Sequence, residues 1–364
     1  MGAEGRVMEP TEGRTESQET APGTRERVFS GMQPSGEAHL GNYLGALQHW
    51  ERMQDDYECF FCIVDEHAIT GEYTPDELPQ RTFDLAVSFL AVGLDPERST
   101  IFVQSDVPEH TELSWLFNAV TPVGDLERMT QYKDKSAHLE SVPAGLLNYP
   151  VLQAADILIY RAHVVPVGED QLQHLELTRE IARRWNARYG PLFPEPRGVV
   201  GQAGRIVGLD GAQKMSKSLG NTVGVLAEPE EIWDRVRTAK TDPQRVRKSD
   251  PGRPEMCNVY SLHEHLTDPD ALHDIRDQCR GATRGCVECK RILADSIAER
   301  FAPFRERAEG YRSRPQDVVD VLESGARRAR SLARDTLDEV RERMGLEWRG
   351  AARSASTRTG SVSP

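Results

Sequence analysis

Between residues 27 and 225, short apolar runs alternate with longer stretches whose apolar positions recur every three or four residues. The short runs at 27–30, 59–65, 100–104 and 164–167 have strand length. The longer ones at 43–54, 76–92, 111–120, 146–160 and 171–187 have the period of amphipathic helices. Such alternation predicts an α/β domain with a parallel sheet and helices on both faces. After about residue 226 the strand signals stop, and charged amphipathic helices are expected at 230–238, 289–307 and 316–344. The expected organisation is a sheet domain over 27–225, a mostly helical domain over 226–312, and a helix at 313–348 long enough to run back over the first domain. Residues 1–26 and 349–364 hold too few large apolar side chains to offset ordering entropy, and disordered tails are expected there.

Charge and composition narrow the function classes. With 45 basic and 58 acidic residues the net charge is −13, so any nucleic-acid contact has to use a local basic patch. No run of about 18 apolar residues is present, and the N-terminus lacks the apolar core of a secretory signal. A cytoplasmic setting is expected, where clustered cysteines read as metal ligands rather than disulfides.

Two separated motifs carry candidate chemistry. Pro34-Ser35-Gly36-Glu37-Ala38-His39-Leu40-Gly41-Asn42 directly follows the first predicted strand. In a parallel sheet, ligands sit beyond the carboxyl ends of strands, where helix N-termini present free N–H groups. Gly41 lets a nucleotide approach the backbone, and His39 and Asn42 can donate to phosphate oxygens. The plainer role for that pair is capping of the loop. Lys214-Met215-Ser216-Lys217-Ser218 places two ammonium groups and two hydroxyls in a segment flanked by Gly208, Gly211 and Gly220. Such a loop can close over a triphosphate and neutralise departing pyrophosphate; taken alone it also reads as a solvated surface. Asp170, in Gly168-Glu169-Asp170-Gln171, reads by itself as a helix N-cap. Lys133 and Lys135 suit either the phosphates or the open surface.

Together the two motifs resemble the paired signatures of class I aminoacyl-tRNA synthetases. Phe29–Gly36, Asp65–Thr70, Leu126–Gln131, Asn148–Tyr160 and Val165–Gln171 look like the bacterial tryptophanyl enzymes, and the resemblance runs from about Arg27 to Leu346. It implies a Rossmann-like catalytic domain and a helical anticodon-binding domain. It also implies MgATP held by Gln33, Pro34, Ser35, Gly41, Asn42, Gly168, Glu169, Asp170, Ile206 and the segment Lys214, Met215, Ser216, Lys217 and Ser218. His39, Asn42, Lys214 and Lys217 are the residues expected to assist catalysis. L-tryptophan is expected against Phe29, His67, Tyr149, Gln153, Asp156 and Gln171, with Asp156 accepting the indole N–H. Gln153 stands where many relatives have Met.

Six cysteines divide into two groups. Cys59 and Cys62 fall in an apolar strand, one facing each side of the sheet, and read as core. Cys257, Cys279, Cys286 and Cys289 are spaced C-x21-C-x6-C-x2-C, which suits an iron–sulfur cluster or a zinc ion. The spacing is one residue shorter in its first gap than that of a synthetase subset with a [4Fe–4S] cluster in the anticodon-binding domain. The resemblance implies that cluster, with structural zinc as the alternative and free thiols still open. Arg276, Arg280, Arg284, Lys290 and Arg291 surround these thiols, either to meet tRNA or as a solvated face.

The implied reaction is adenylation of tryptophan by MgATP, then transfer to the terminal adenosine of tRNA(Trp), in a homodimer. A tyrosyl enzyme would share the clamp but need a pocket for a phenol. A small-molecule adenylyltransferase would share the histidine loop alone. A non-catalytic paralogue would only bind RNA or sense iron.

Overall fold

The computed structural model describes residues 25–137, 139–168, 171–200 and 206–348. Both expected tails therefore lie largely or wholly outside the described residues, as do Glu169 and Asp170. Five strands, β1 (Arg27–Met32), β2 (Glu58–Ile63), β3 (Ser99–Val103), β4 (Val164–Val167) and β5 (Arg197–Val200), form one sheet in the order β3-β2-β1-β4-β5. Every pairing is parallel. β5 was not among the expected strands; it is four residues long and pairs with β4 alone.

Side chains alternate between two cores, as the two-residue period of a strand requires. Val28, Cys59, Phe61, Ile63, Ile101 and Val103 face one core, and Phe29, Phe60, Cys62 and Phe102 face the other. Cys59 and Cys62 thus lie on opposite faces, buried as apolar residues. Both faces are covered, which is why these strands read as continuous apolar runs.

The helices in chain order begin with α1 (Leu40–Asn42), α2 (Gln48–Met53), α3 (Asp65–Ala68), α4 (Leu78–Val92) and α5 (Glu109–Asn118). Next come α6 (Val123–Glu127), α7 (Thr130–Ser136), α8 (Ala144–Leu158) and α9 (Leu172–Tyr189). A π-helical segment, Tyr43–Leu47, joins α1 to α2, so the expected helix at 43–54 starts earlier and is wound unevenly. Beyond β5 lie α10 (Pro229–Val236), α11 (Asn258–Leu266), α12 (Pro269–Arg280), α13 (Cys286–Ser313) and α14 (Pro315–Arg343). No strand occurs among the described residues after β5. Ile232, Val236, Val259, Leu262, Leu293, Ile297 and Phe301 join the same apolar core as α4, so the helical part is packed onto the sheet part. No described helix is long and apolar enough to cross a membrane.

α14 covers β3, an edge strand that would otherwise expose unpaired backbone groups. Arg328 donates to the carbonyls of Pro96 and Ser99 at 2.8 and 3.1 Å. Gly325 permits the approach, since a Cβ there would lie 1.8 Å from the Ile101 carbonyl oxygen. Helix propensity alone makes Gly325→Ala stabilising by about 1 kcal/mol. The contact reverses that sign: Gly325→Ala should cost about 1–3 kcal/mol, read as a lower urea midpoint. A midpoint that rose would contradict this packing.

Candidate active site

The strand order reverses at β1, which pairs β2 on one side and β4 on the other. At such a switch point the loops leaving adjacent strand ends diverge and open a crevice. The first motif leaves β1 there. Gln33 and Ser35 are exposed while Pro34 turns inward. Asn42 N–H donates to His39 Nδ1 at 3.3 Å, and His39 N–H donates to Asn42 Oδ1 at 3.0 Å. This reciprocal box caps α1, so the capping role is real. It also places the imidazole proton on Nε2, the nitrogen left to face a ligand. Burial, reinforced by the charges of Lys217 and Lys214, pushes His39 down from 6.5 to about 4.

The lysine loop meets this motif directly. Leu40 N–H donates to the Val223 carbonyl at 2.8 Å and Val225 N–H to the Ala38 carbonyl at 2.9 Å. A Cβ on Gly41 would stand 3.0 Å from Met215 Cβ. Lys217 Nζ donates to the Ser35 carbonyl at 2.9 Å, closing the two loops on one another. Ser216 and Ser218 hydroxyls are 2.9 Å apart. Met215 is buried, and its N–H bonds the carbonyl of buried Ile206 at 3.2 Å. Lys214 is exposed, its backbone bridged to Val207. Asn221 holds the loop's shape by accepting from Ser216 N–H at 2.8 Å and donating to Asp210 at 2.9 Å. Across the crevice, Gln171 N–H returns to the Gly168 carbonyl at 3.0 Å.

The candidate amino-acid pocket centres on Asp156 in α8, only 1% exposed. Its Oδ2 accepts from His67 Nε2 at 2.7 Å. Its Oδ1 accepts from Gln104 Nε2 at 2.8 Å and His110 Nδ1 at 2.6 Å. Burial alone would push this carboxyl up, but His67 and His110 outweigh it and hold Asp156 well below the usual carboxylate range. Tyr149 lies near His67, with ring centroids 6.3 Å apart, and its hydroxyl meets His174 Nε2 at 2.7 Å. Burial pushes the Tyr149 phenol up to about 12. Lys135 Nζ sits 5.4 Å from the Tyr149 ring centroid. Phe29 stacks on Tyr160 at 5.7 Å. Gln153, one helical turn before Asp156, is partly buried.

Sequence reading passed over Gln104, His110, Tyr160 and Asn221. Helical spacing held one clue: His110, Leu113 and Phe117 recur at the interval of a buried face.

Known proteins of one family are similar to this chain. The family described as tRNA synthetases class I (W and Y) matches residues 22–302. A tryptophan–tRNA ligase of Deinococcus radiodurans is 52% identical over 325 residues, covering 88% of this chain and 98% of that one. The chain belongs to the bacterial class I tryptophanyl-tRNA synthetases. A crystal structure of the Campylobacter jejuni tryptophanyl-tRNA synthetase complexed with ADP and tryptophan superposes on this synthetase with a TM-score of 0.80 at 35% identity, covering 88% of this chain and 99% of that one. An Archaeoglobus fulgidus tyrosyl-tRNA synthetase, at 22% identity and TM-score 0.61 over 78% of this chain and 90% of that one, shares the fold alone.

In the helical part of the synthetase, Cys257, Cys279, Cys286 and Cys289 line one cavity with Thr241, Asp242, Arg245, Val259 and Arg284. Cys279 Sγ accepts from Arg245 at 3.5 Å, and Cys289 Sγ lies 3.4 Å from His263 Nε2. Burial pushes the Cys289 thiol up to about 12, and the other three sulfurs add to the shift. Among the described residues, no three His, Cys, Asp or Glu side chains converge closely enough to ligate a single ion. Of the nearby basic residues, Arg284 is held by Gln278 at 2.8 Å and Arg291 stacks on Trp233 at 3.5 Å. Lys290 donates to the Arg237 carbonyl at 2.8 Å.

His39 gives the site a pH signature. Its ordinary value is 6.5 and its folded value about 4, so the unfolded chain takes up the proton first as pH falls. The contribution of His39 to stability should fall by up to about 3 kcal/mol as pH drops between those two values and level off outside them. The stability difference between the protein and its His39→Gln variant should carry that slope; a difference flat across pH 4 to 6.5 would contradict the burial of His39.

Proposed function

We infer that the protein is a tryptophan–tRNA ligase that joins L-tryptophan to tRNA(Trp) in two steps at the β1/β4 crevice. The tryptophan carboxylate attacks the α-phosphorus of MgATP, giving tryptophanyl-adenylate and pyrophosphate. The 2′-hydroxyl of the terminal adenosine then attacks the adenylate carbonyl. The single observation that carries this reading is the junction of the two loops, Lys217 against Ser35 and Met215 against Gly41, beside a buried carboxylate.

Positioning and charge do the catalytic work. His39 offers Nε2–H to phosphate, and Asn42 lies beside it at the start of the helix. Lys217 exchanges its Ser35 carbonyl for phosphate oxygens and, with Lys214, follows pyrophosphate as it leaves. Gly168, Glu169 and Asp170 are assigned the ATP ribose. Tyr149 and Gln171 are assigned the substrate's ammonium and carboxylate, with Phe29, His67 and Gln153 bounding the indole. Asp156 receives the indole N–H. A phenylalanine ring would leave that buried anion one donor short, which rejects it strongly.

Residues 27–225 would form the catalytic domain, 226–312 the anticodon-binding domain and 313–348 the returning helix. Exposed Trp115, Val123, Leu139 and Val142, all within one stretch of the sheet part, support a homodimer, and the cytosol is its proposed setting. In the helical part, Cys257, Cys279, Cys286 and Cys289 would hold a [4Fe–4S] cluster. The cluster is supported by the C-x21-C-x6-C-x2-C spacing and by the four thiols lining one cavity, with structural zinc as the alternative. The group would supply structure to the tRNA-facing end, with no part in the chemistry.

Three experiments bear on these assignments. Asp156→Ala should abolish most tryptophan-dependent ATP–pyrophosphate exchange while ATP binding stays near normal; unchanged exchange, or exchange with tyrosine only, would refute the assignment. Lys217→Ala should lower the adenylation rate by at least about 100-fold more than it weakens ATP binding. Equal losses would deny it a transition-state role. Anaerobic purification should yield a brown protein whose colour is lost in Cys289→Ser, whereas a colourless, zinc-loaded protein would refute the cluster.

A further inference from the structure

Asp156 is held by side chains that lie behind the pocket. Gln104 and His110 are fully buried, and both direct a donor at Oδ1, at 2.8 and 2.6 Å. An ionised carboxylate only accepts, so the proton on His110 must sit on Nδ1. The other ring nitrogen is 2.6 Å from the hydroxyl of Tyr160, itself fully buried and stacked between Phe29 and Phe60. That hydroxyl fixes the plane of the imidazole. Gln104 commits its amide nitrogen to Asp156 although its own Oε1 then has no partner among the described residues. A buried unmatched acceptor calls for an explanation, and commitment of the other half of the amide to Asp156 supplies one.

Acceptor arithmetic gives this layer its meaning. Each carboxylate oxygen offers about two lone-pair positions. Oδ1 spends both, on Gln104 and His110. Oδ2 spends one, on His67, and keeps one. We propose that Gln104 and His110 are positioning residues that saturate Oδ1 and lock the carboxylate plane, so that Oδ2 presents a single acceptor to the indole N–H. Preference for an indole then depends on two residues that need not touch the substrate. This rests on Asp156 being the indole acceptor.

The test compares tryptophan with its benzothiophene isostere, in which sulfur replaces the ring N–H. ATP–pyrophosphate exchange gives kcat and KM for both in the full-length protein. His110→Phe and Gln104→Leu should each lower kcat/KM for tryptophan about tenfold or more, chiefly through KM, while the isostere changes less than about twofold. The KM for ATP should not move. His110→Asn, whose amide can place an N–H near the Nδ1 position, should recover most of the loss. Equal losses for both substrates would show a merely structural role and overturn the proposal. Should His110→Phe not fold, Gln104→Leu carries the same comparison. Asp156→Ala, which leaves no side-chain acceptor, separates the two levels. If it leaves the tryptophan-to-isostere ratio intact, the acceptor assignment fails. If it collapses the ratio while the His110 and Gln104 variants do not, only the present inference fails.

Discussion

The backbone approach of the lysine loop to the histidine loop governs the site. It depends on the parallel sheet first, because only a reversal of strand order leaves two diverging loops at neighbouring strand ends. It depends next on Gly41, where a side chain would press on Met215. Backbone pairs from Ala38 to Val225 and from Leu40 to Val223 then hold the segment behind the lysines against the helix that the histidine caps. The ammonium of Lys217 is thereby carried across 182 residues of chain to the first motif. Its charge is held against the Ser35 carbonyl of the histidine loop.

A second long-range element runs from the thiols toward this junction. α13 carries Cys286 and Cys289 in its first turn and Arg312 in its last, and Arg312 pairs with Glu37 inside the histidine loop. At 28 residues, and 1.5 Å per residue, the helix spans about 42 Å. Arg307 from the same helix donates to the Ala91 carbonyl at 2.7 Å, fastening it to α4. α14 works from the other side of the sheet. Arg330 and Arg334 both reach Glu109, the residue before His110, at 2.9 Å. The start of α5, and with it the imidazole behind Asp156, is tied to the C-terminal helix.

What the sequence made legible was local. The first strand, the histidine nonapeptide and the lysine loop each lie in one contiguous stretch, and their residue types announce their chemistry. The helix around Asp156 was legible because apolar neighbours isolate its carboxylate. β5 escaped because four residues with a glycine carry too little periodicity. The π-helical segment escaped because nothing in Tyr43–Leu47 departs from an ordinary helical pattern. Gln104, His110 and Tyr160 escaped for a different reason. They come from the end of β3, the start of α5 and the residues after α8, and their common target is set by tertiary packing alone. The cysteines were legible as a set, yet their gathering around one cavity with Arg245 and Arg284 was not.

A crystal structure with tryptophan and a non-hydrolysable ATP analogue tests the account most directly. The triphosphate should lie between the His39–Asn42 turn and the Lys214–Ser218 loop, with Lys217 moved from the Ser35 carbonyl to phosphate oxygen and the indole nitrogen on Asp156 Oδ2. A nucleotide bound elsewhere, or one contacting the histidine loop while both lysines stay in solvent, would contradict it.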